Sequence, residues 1–244
     1  MTDQPTATSD GPTSDGRGDR WAAHREERRA QILDAAIAVI EREPEGAEIH
    51  VRQIASEAGL GRAVLYRHFA DRADLDRAVQ QRILQMLVDT LAPQFELSGT
   101  IEEIIQRILS AYVGWAAEHP ALHRIGAAES QDADRLHDVM QVTRQIGSLV
   151  AMLVTAGASL LEVELNEEDA QILDPLVFGI VGQAVGTVRF WLAREVREPS
   201  VDVLAAHLAR SVWFQIDGHA RDRGAVIDPR TSLDALILAA ARAE

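Results

Sequence analysis

Two short amphipathic segments, Val51 to Ala58 and Gly61 to Arg67, are separated by Gly59-Leu60-Gly61. No other feature restricts the fold so strongly. Gly59 lacks the Cβ that opposes a left-handed conformation and can end the first segment as a helix. Leu60 can then plug the angle between the segments, and Gly61 can start the second as a weak N-cap. A corner this tight forces two helices onto a shared core, for which Ile54, Ala55, Ala58, Leu60, Leu65 and Phe69 are the available residues. Arg52, Arg62, Tyr66, Arg67 and His68 are then left to project outward together.

The periodicity around this corner is helical throughout. Apolar residues recur at spacings of three and four from Arg25 to Ile40, and Glu43-Pro44-Glu45-Gly46 stops that run. A further helix is expected from near Asp71 toward Pro93. Others are expected at about Ile101 to Glu118, Leu136 to Leu161, Glu167 to Glu195, Val201 to Arg223 and Ser232 to Ala243. No alternating stretch bounded by hairpin turns suggests a strand. The expected fold is therefore all-α. Residues 1–20, rich in Thr, Ser, Asp, Gly and Pro, read as a disordered tail. A helix-turn-helix domain is expected at 21–70, a larger helical domain at 71–230, and a short C-terminal helix at 231–244.

Charge and composition narrow the function. The 244-residue chain carries a formal charge of −14, which opposes a surface built for nonspecific nucleic-acid binding. The acidity is uneven: six Arg face five Asp and Glu between Ala47 and Arg82, whereas twelve face twenty-three from Ile83 to Glu244. All 24 Lys and Arg positions are Arg. With no cysteine, disulfides, thiolate metal sites and cysteine nucleophiles are excluded, and a reducing cytoplasm is the expected compartment. The N-terminal residues lack a signal-peptide core, and no uninterrupted apolar run approaches the roughly 20 residues of a membrane span.

To read DNA, the second helix of such a corner must enter a major groove about 12 Å wide with short side chains near its start and phosphate-gripping groups alongside. Ala63 and Val64 are short enough to lie against base edges or a thymine methyl. Arg62 and Arg52 can reach guanine or phosphate, while Tyr66, His68 and Arg72 are placed for the backbone.

The segment from about Arg25 to Val79 resembles the DNA-binding domain of the TetR family of repressors. The likeness is carried by Ile54-Ala55, Ala58-Gly59 and Leu65-Tyr66-Arg67-His68-Phe69 at the family's spacing, with Arg72 three residues beyond Phe69. It implies recognition-helix contacts at Arg62, Ala63, Val64, Tyr66, Arg67 and His68, and preceding-helix contacts at His50, Val51 and Arg52. The chain departs from the family's usual Thr at His50, Ser at Gly61, Gly at Ala63, Thr at Val64 and Lys at Arg72. The lost hydroxyls imply apolar readout at Val64. The resemblance further implies a homodimer on near-palindromic double-stranded operator DNA, repression relieved by a small apolar or amphipathic effector, and reorientation of the helix at Asp71 to Thr90 on effector binding.

The C-terminal half is less specific. Trp115, Met140, Met152, Phe178, Gly182 and Trp191 are candidates for lining the effector cavity that the resemblance implies. Gly179, Gly182 and Gly186 cost about 1 kcal/mol each in a helix, which close helix approach across a dimer or space for a ligand would offset. Val185, Val188, Leu192, Leu204, Leu208, Val212 and Trp213 are candidates for the dimer contact. His119 and His123 have metal-ligand spacing, but Pro120 lies between them and no carboxylate completes the set, so neither metal nor cofactor is expected. No nucleophile or phosphate-loop arrangement supports an enzyme. The alternative reading is a helical small-molecule-binding protein that acts through protein partners without DNA, in which Arg52 and Arg62 would have no role.

Overall fold

The computed structural model describes residues 15–44, 46–127, 133–160, 166–222, 224 and 226–240. Ten α-helices lie among them: α1 Asp15–Arg42, α2 Val51–Glu57, α3 Arg62–His68, α4 Arg72–Leu91, α5 Ile101–Glu118, α6 Pro120–Gly126, α7 Ala133–Leu160, α8 Glu167–Leu192, α9 Val201–Asp222 and α10 Leu233–Ala240. Among the described residues there is no strand, only an isolated antiparallel bridge between Thr100 and Ser232. The chain forms two compact units, Met1–Asp76 and Arg77–Glu244. They divide inside α4 rather than at residue 70.

In the first unit, α1 begins at Asp15, ten residues before the start expected at Arg25 and inside the stretch expected to be a disordered tail. From Trp21 to Arg29 there is neither proline nor glycine to oppose helix, and alanine, arginine and glutamate favour it. Residues 1–14 lie outside the described set. Ile32, Ala36 and Val39 of α1 are fully buried against α2 and α3, which contribute Ile54, Ala55, Leu65 and Phe69.

Polar ties fix the three helices. Gln31 donates to the Ala58 carbonyl at 2.9 Å, and Arg42 pairs with Glu57 at 2.7 Å. The Arg29 guanidinium donates to the His68 carbonyl at 2.9 Å and lies 4.3 Å from the centre of the Phe69 ring.

In the second unit α5 packs most extensively on α9, and α7 on α8. A capping box starts α5: the Thr100 hydroxyl accepts from the Glu103 N–H, while the Glu103 carboxylate accepts from the Thr100 N–H. The Arg107 guanidinium donates to the carbonyls of Gln94, Glu96 and Ser98, pinning the loop that precedes this cap. The short helix α6 escapes the apolar periodicity. Pro120 cannot continue α5, but its fixed φ suits the first position of a new helix.

Gln171–Leu192 is long and apolar enough by length and composition to cross a bilayer, with a mean hydropathy of 1.3, but Asp174 and Arg189 interrupt it, so it is not an uninterrupted apolar run.

A DNA-reading corner and an apolar cavity

The corner between α2 and α3 has the geometry that its glycines require. Gly59 stands at φ +65°. Its N–H donates to the Ser56 carbonyl and the Leu60 N–H reaches back to the Ala55 carbonyl at 2.8 Å, the paired bonds of a Schellman ending. Gly61 then caps α3 with extended backbone and no side-chain bond. Leu60 is half-buried rather than fully enclosed.

On α3 the exposed residues are Arg62, Ala63, Tyr66 and Arg67, which share one helical face, while Leu65 is fully buried beneath them. Val64 and His68 are half-buried at its edges. The Arg62 guanidinium lies 5.7 Å from the centre of the Tyr66 ring. Arg52 and His50 are exposed on and before α2. Arg62, Ala63, Tyr66 and Arg67 thus form the exposed face of α3, with Ala63 as its one short side chain, while Arg52 is exposed on α2.

Two expected contacts come out differently. Val51 is only 8 % exposed and its side chain belongs to the core of the unit. Arg72 is engaged internally, donating to the Ile49 carbonyl at 2.7 Å and to Asp76 at 2.8 Å, so its guanidinium braces the start of α4. Burial lowers the pKa of His68, and the neighbouring charges of Arg67, Arg28, Arg29 and Arg25 lower it further. Three of these arginines lie on α1, outside the α2–α3 corner, where no local sequence signal ties them to His68.

In the second unit an apolar cavity of about 300 Å³ lies among α4, α5, α7, α8 and α9, walled by residues such as Leu91, Ile105, Ile108, Val154, Leu176 and Val181. Its few polar groups come from Tyr112, Gln215 and His219. The expected lining residues are placed elsewhere. Trp115 is buried with its ring against His119, and Trp191 is buried with its indole N–H on the Pro199 carbonyl at 2.8 Å. Met152 and Phe178 are 57 % and 53 % exposed, and Gly182 is also on the surface. The Met140 side chain lies outside the described residues. Aliphatic residues at helical spacing line the cavity, and periodicity cannot distinguish a cavity wall from a filled core.

The expected dimer residues divide as well. Val188, Leu192, Leu204, Leu208, Val212 and Trp213 are buried within the unit, and Val185 lines the cavity. The exposed large apolar groups on α8 and α9 are instead Ile172, Phe178, Phe190, Val203 and Phe214, with Gly179, Gly182 and Gly186 between the two phenylalanines of α8. His119 packs its ring against Trp115. His123 bonds to Tyr112, and among the described residues no group of three or more His, Asp or Glu could hold a metal.

A compact trihelical unit whose third helix offers short and cationic side chains defines a helix-turn-helix DNA-binding regulator. Residues 32–79 match the family described as Bacterial regulatory proteins, tetR family. An HTH-type transcriptional regulator of Mycobacterium tuberculosis is 29% identical over 209 residues, 84% of each chain. The HTH-type transcriptional repressor LfrR of Mycolicibacterium smegmatis is 30% identical over 87 residues, 36% of this chain and 44% of that one. A tetR-family regulator from Streptomyces coelicolor superimposes with a TM-score of 0.59 at 21% identity, covering 87% of this chain and 89% of that one. FadR from Bacillus subtilis, solved in complex with stearoyl-CoA, superimposes with a TM-score of 0.60 at 16% identity, covering 78% and 98%. Residues 32–79 thus form a DNA-binding domain of the tetR family, and the chain is a DNA-binding transcriptional regulator similar to members of that family.

Proposed function

We propose that this regulator is a cytoplasmic homodimeric repressor that reads a near-palindromic operator through α3 and is released by an apolar or amphipathic effector held in the second unit. The observation that carries the reading is the shared exposed face of Arg62, Ala63, Tyr66 and Arg67 above a buried Leu65. The short Ala63 side chain there allows close approach to base edges, and the flanking guanidiniums supply donors to guanine or phosphate. Two such helices on a symmetric dimer would enter successive major grooves about 34–36 Å apart.

The exposed Phe178, Phe190 and Phe214 on α8 and α9 support dimerisation, because aromatic surface of this kind is usually covered by a partner. A second copy accounts for the apolar character of α8 better than a bilayer does, since Asp174 and Arg189 would be costly within one. The aliphatic cavity supports an effector with a hydrocarbon body, and stearoyl-CoA bound to FadR is a precedent on the same fold. Leu87 and Leu91 wall the cavity on α4, the helix whose first turn belongs to the DNA-binding unit. An effector that preferred the nonbinding arrangement by several kcal/mol would release the operator.

The test is selection of bound sequences from a random duplex library at stated salt, followed by addition of long-chain acyl-CoA to the recovered complex. Recovery of a palindrome and its release by the acyl compound are expected. Failure to enrich any sequence would overturn the DNA-binding part of this reading, and an operator complex indifferent to acyl-CoA would overturn the proposed effector class.

A further inference from the structure

The apolar stripe of α1 that packs into the first unit does not end where the core ends. At 3.6 residues per turn, Trp21, Arg25, Arg28 and Arg29 lie within about 60° of Ile32 around the helix, on the face that buries Ile32, Ala36 and Val39. Glu26 and Glu27 point more than about 110° away. The inward face thus continues past the small core as an aromatic and cationic stripe. Arg29 places this stripe beside the end of the recognition helix, through its bond to the His68 carbonyl and its stacking on Phe69.

Arg29 is tied directly to His68 through its backbone carbonyl, and after burial the charges of Arg67 on α3 and of Arg28, Arg29 and Arg25 on α1 lower the pKa of that imidazole. The buried Nδ1 of that ring has no hydrogen-bond partner. Arg25 is exposed and Arg28 half-buried with one bond to Gln31, while Trp21 is 71 % exposed. Such a cluster in a chain of net charge −14 is a local excess that self-repulsion opposes, and an external polyanion would relieve it.

We propose that the first half of α1 is a second DNA-contacting element, in which Arg25 and Arg28, flanked by Trp21, grip the sugar-phosphate backbone alongside the groove entered by α3. The proposal rests on the DNA-binding reading above and adds a phosphate clamp outside the corner. Charge complementarity and continuity with the recognition helix select a nucleic-acid backbone as the occupant. Because phosphate carries no base identity, the clamp raises affinity for every sequence alike and leaves the preferred operator unchanged.

The experiment compares the wild-type full chain with Arg25→Ala/Arg28→Ala and Arg25→Lys/Arg28→Lys on the selected operator duplex, by fluorescence anisotropy across a salt series. The alanine pair is expected to recover the same operator sequence. The slope of log K against log[salt] should be shallower by about 2, as for two lost phosphate contacts, and the lysine pair should restore it. A thermal melt of each variant, together with the single Arg25→Gln variant, separates loss of contact from loss of fold.

A second readout uses Trp21. The other tryptophans, Trp115, Trp191 and Trp213, are all buried, so acrylamide quenching reports chiefly on Trp21 and should fall when duplex is added. An unchanged salt slope in a folded alanine pair, or quenching indifferent to DNA, overturns the clamp while wild-type operator binding keeps the regulator reading intact. A wild-type chain that binds no duplex removes both.

Discussion

The Tyr112 hydroxyl lies 2.8 Å from His123 Nε2, with both side chains buried and the tyrosine forming part of the cavity wall. Burial, reinforced by Arg189, lowers the His123 pKa to about 4, and burial raises that of Tyr112. The pair is therefore neutral in the folded protein at ordinary pH. It adds a hydrogen-bonding position to a mostly aliphatic wall whose other polar groups are Gln215 and His219, suited to orienting a polar group on an apolar effector.

This pair predicts a pH dependence. The folded-state pKa of His123 lies below the unfolded value of about 6.5, so its contribution is present above pH 6.5 and is lost as pH falls toward about 4. A separation of this size corresponds to about 3 kcal/mol. Urea unfolding at several pH values should show His123→Gln losing less stability than wild type across that window. Equal losses would show that burial does not penalise the imidazolium.

Opposite signs are expected at the two glycines of the α2–α3 corner. Gly59→Ala should destabilise the first unit by about 1–2 kcal/mol, because φ +65° disfavours an L side chain even though nothing lies within 4 Å of the added Cβ. Gly61→Ser should stabilise by a few tenths of a kcal/mol, since its backbone is already extended for an N-cap and the hydroxyl gains a donor to satisfy. Chemical denaturation of the two variants checks both signs.

Gly182 offers a clean measure of the dimer. A Cβ placed there meets nothing within 4 Å in the protomer, so in an isolated chain Gly182→Ala should add about 1 kcal/mol of helix stability. Gly182→Arg should instead shift the oligomer toward monomer in light scattering. A dimer of unchanged affinity would place the interface away from α8.

The cavity can be tested by filling it. Val181→Trp should abolish binding of cis-parinaric acid, followed by its fluorescence, while leaving operator affinity within a factor of about two. A filled cavity that still binds the probe would move the effector site elsewhere.

The sequence alone determined the corner. Gly59, the spacing of Leu65 and Phe69 behind it, and the cluster of Arg62, Ala63, Tyr66 and Arg67 specify both backbone conformation and outward face, because turn chemistry and helical phase act over a few residues. Tertiary structure decided what depends on contacts between distant segments. Val51 is buried in the core of the first unit, and Arg72 is half-buried with its guanidinium bonded to the Ile49 carbonyl. Among the residues of the second unit, only packing decides which face a cavity and which a filled core. Ile108 and Val181 line open space while Val188 and Leu208 are buried in the packed interior, yet all four are aliphatic residues on helices with similar local patterns. Helical periodicity records that a face is buried, whereas the volume left between three or four such faces depends on how their side chains interlock.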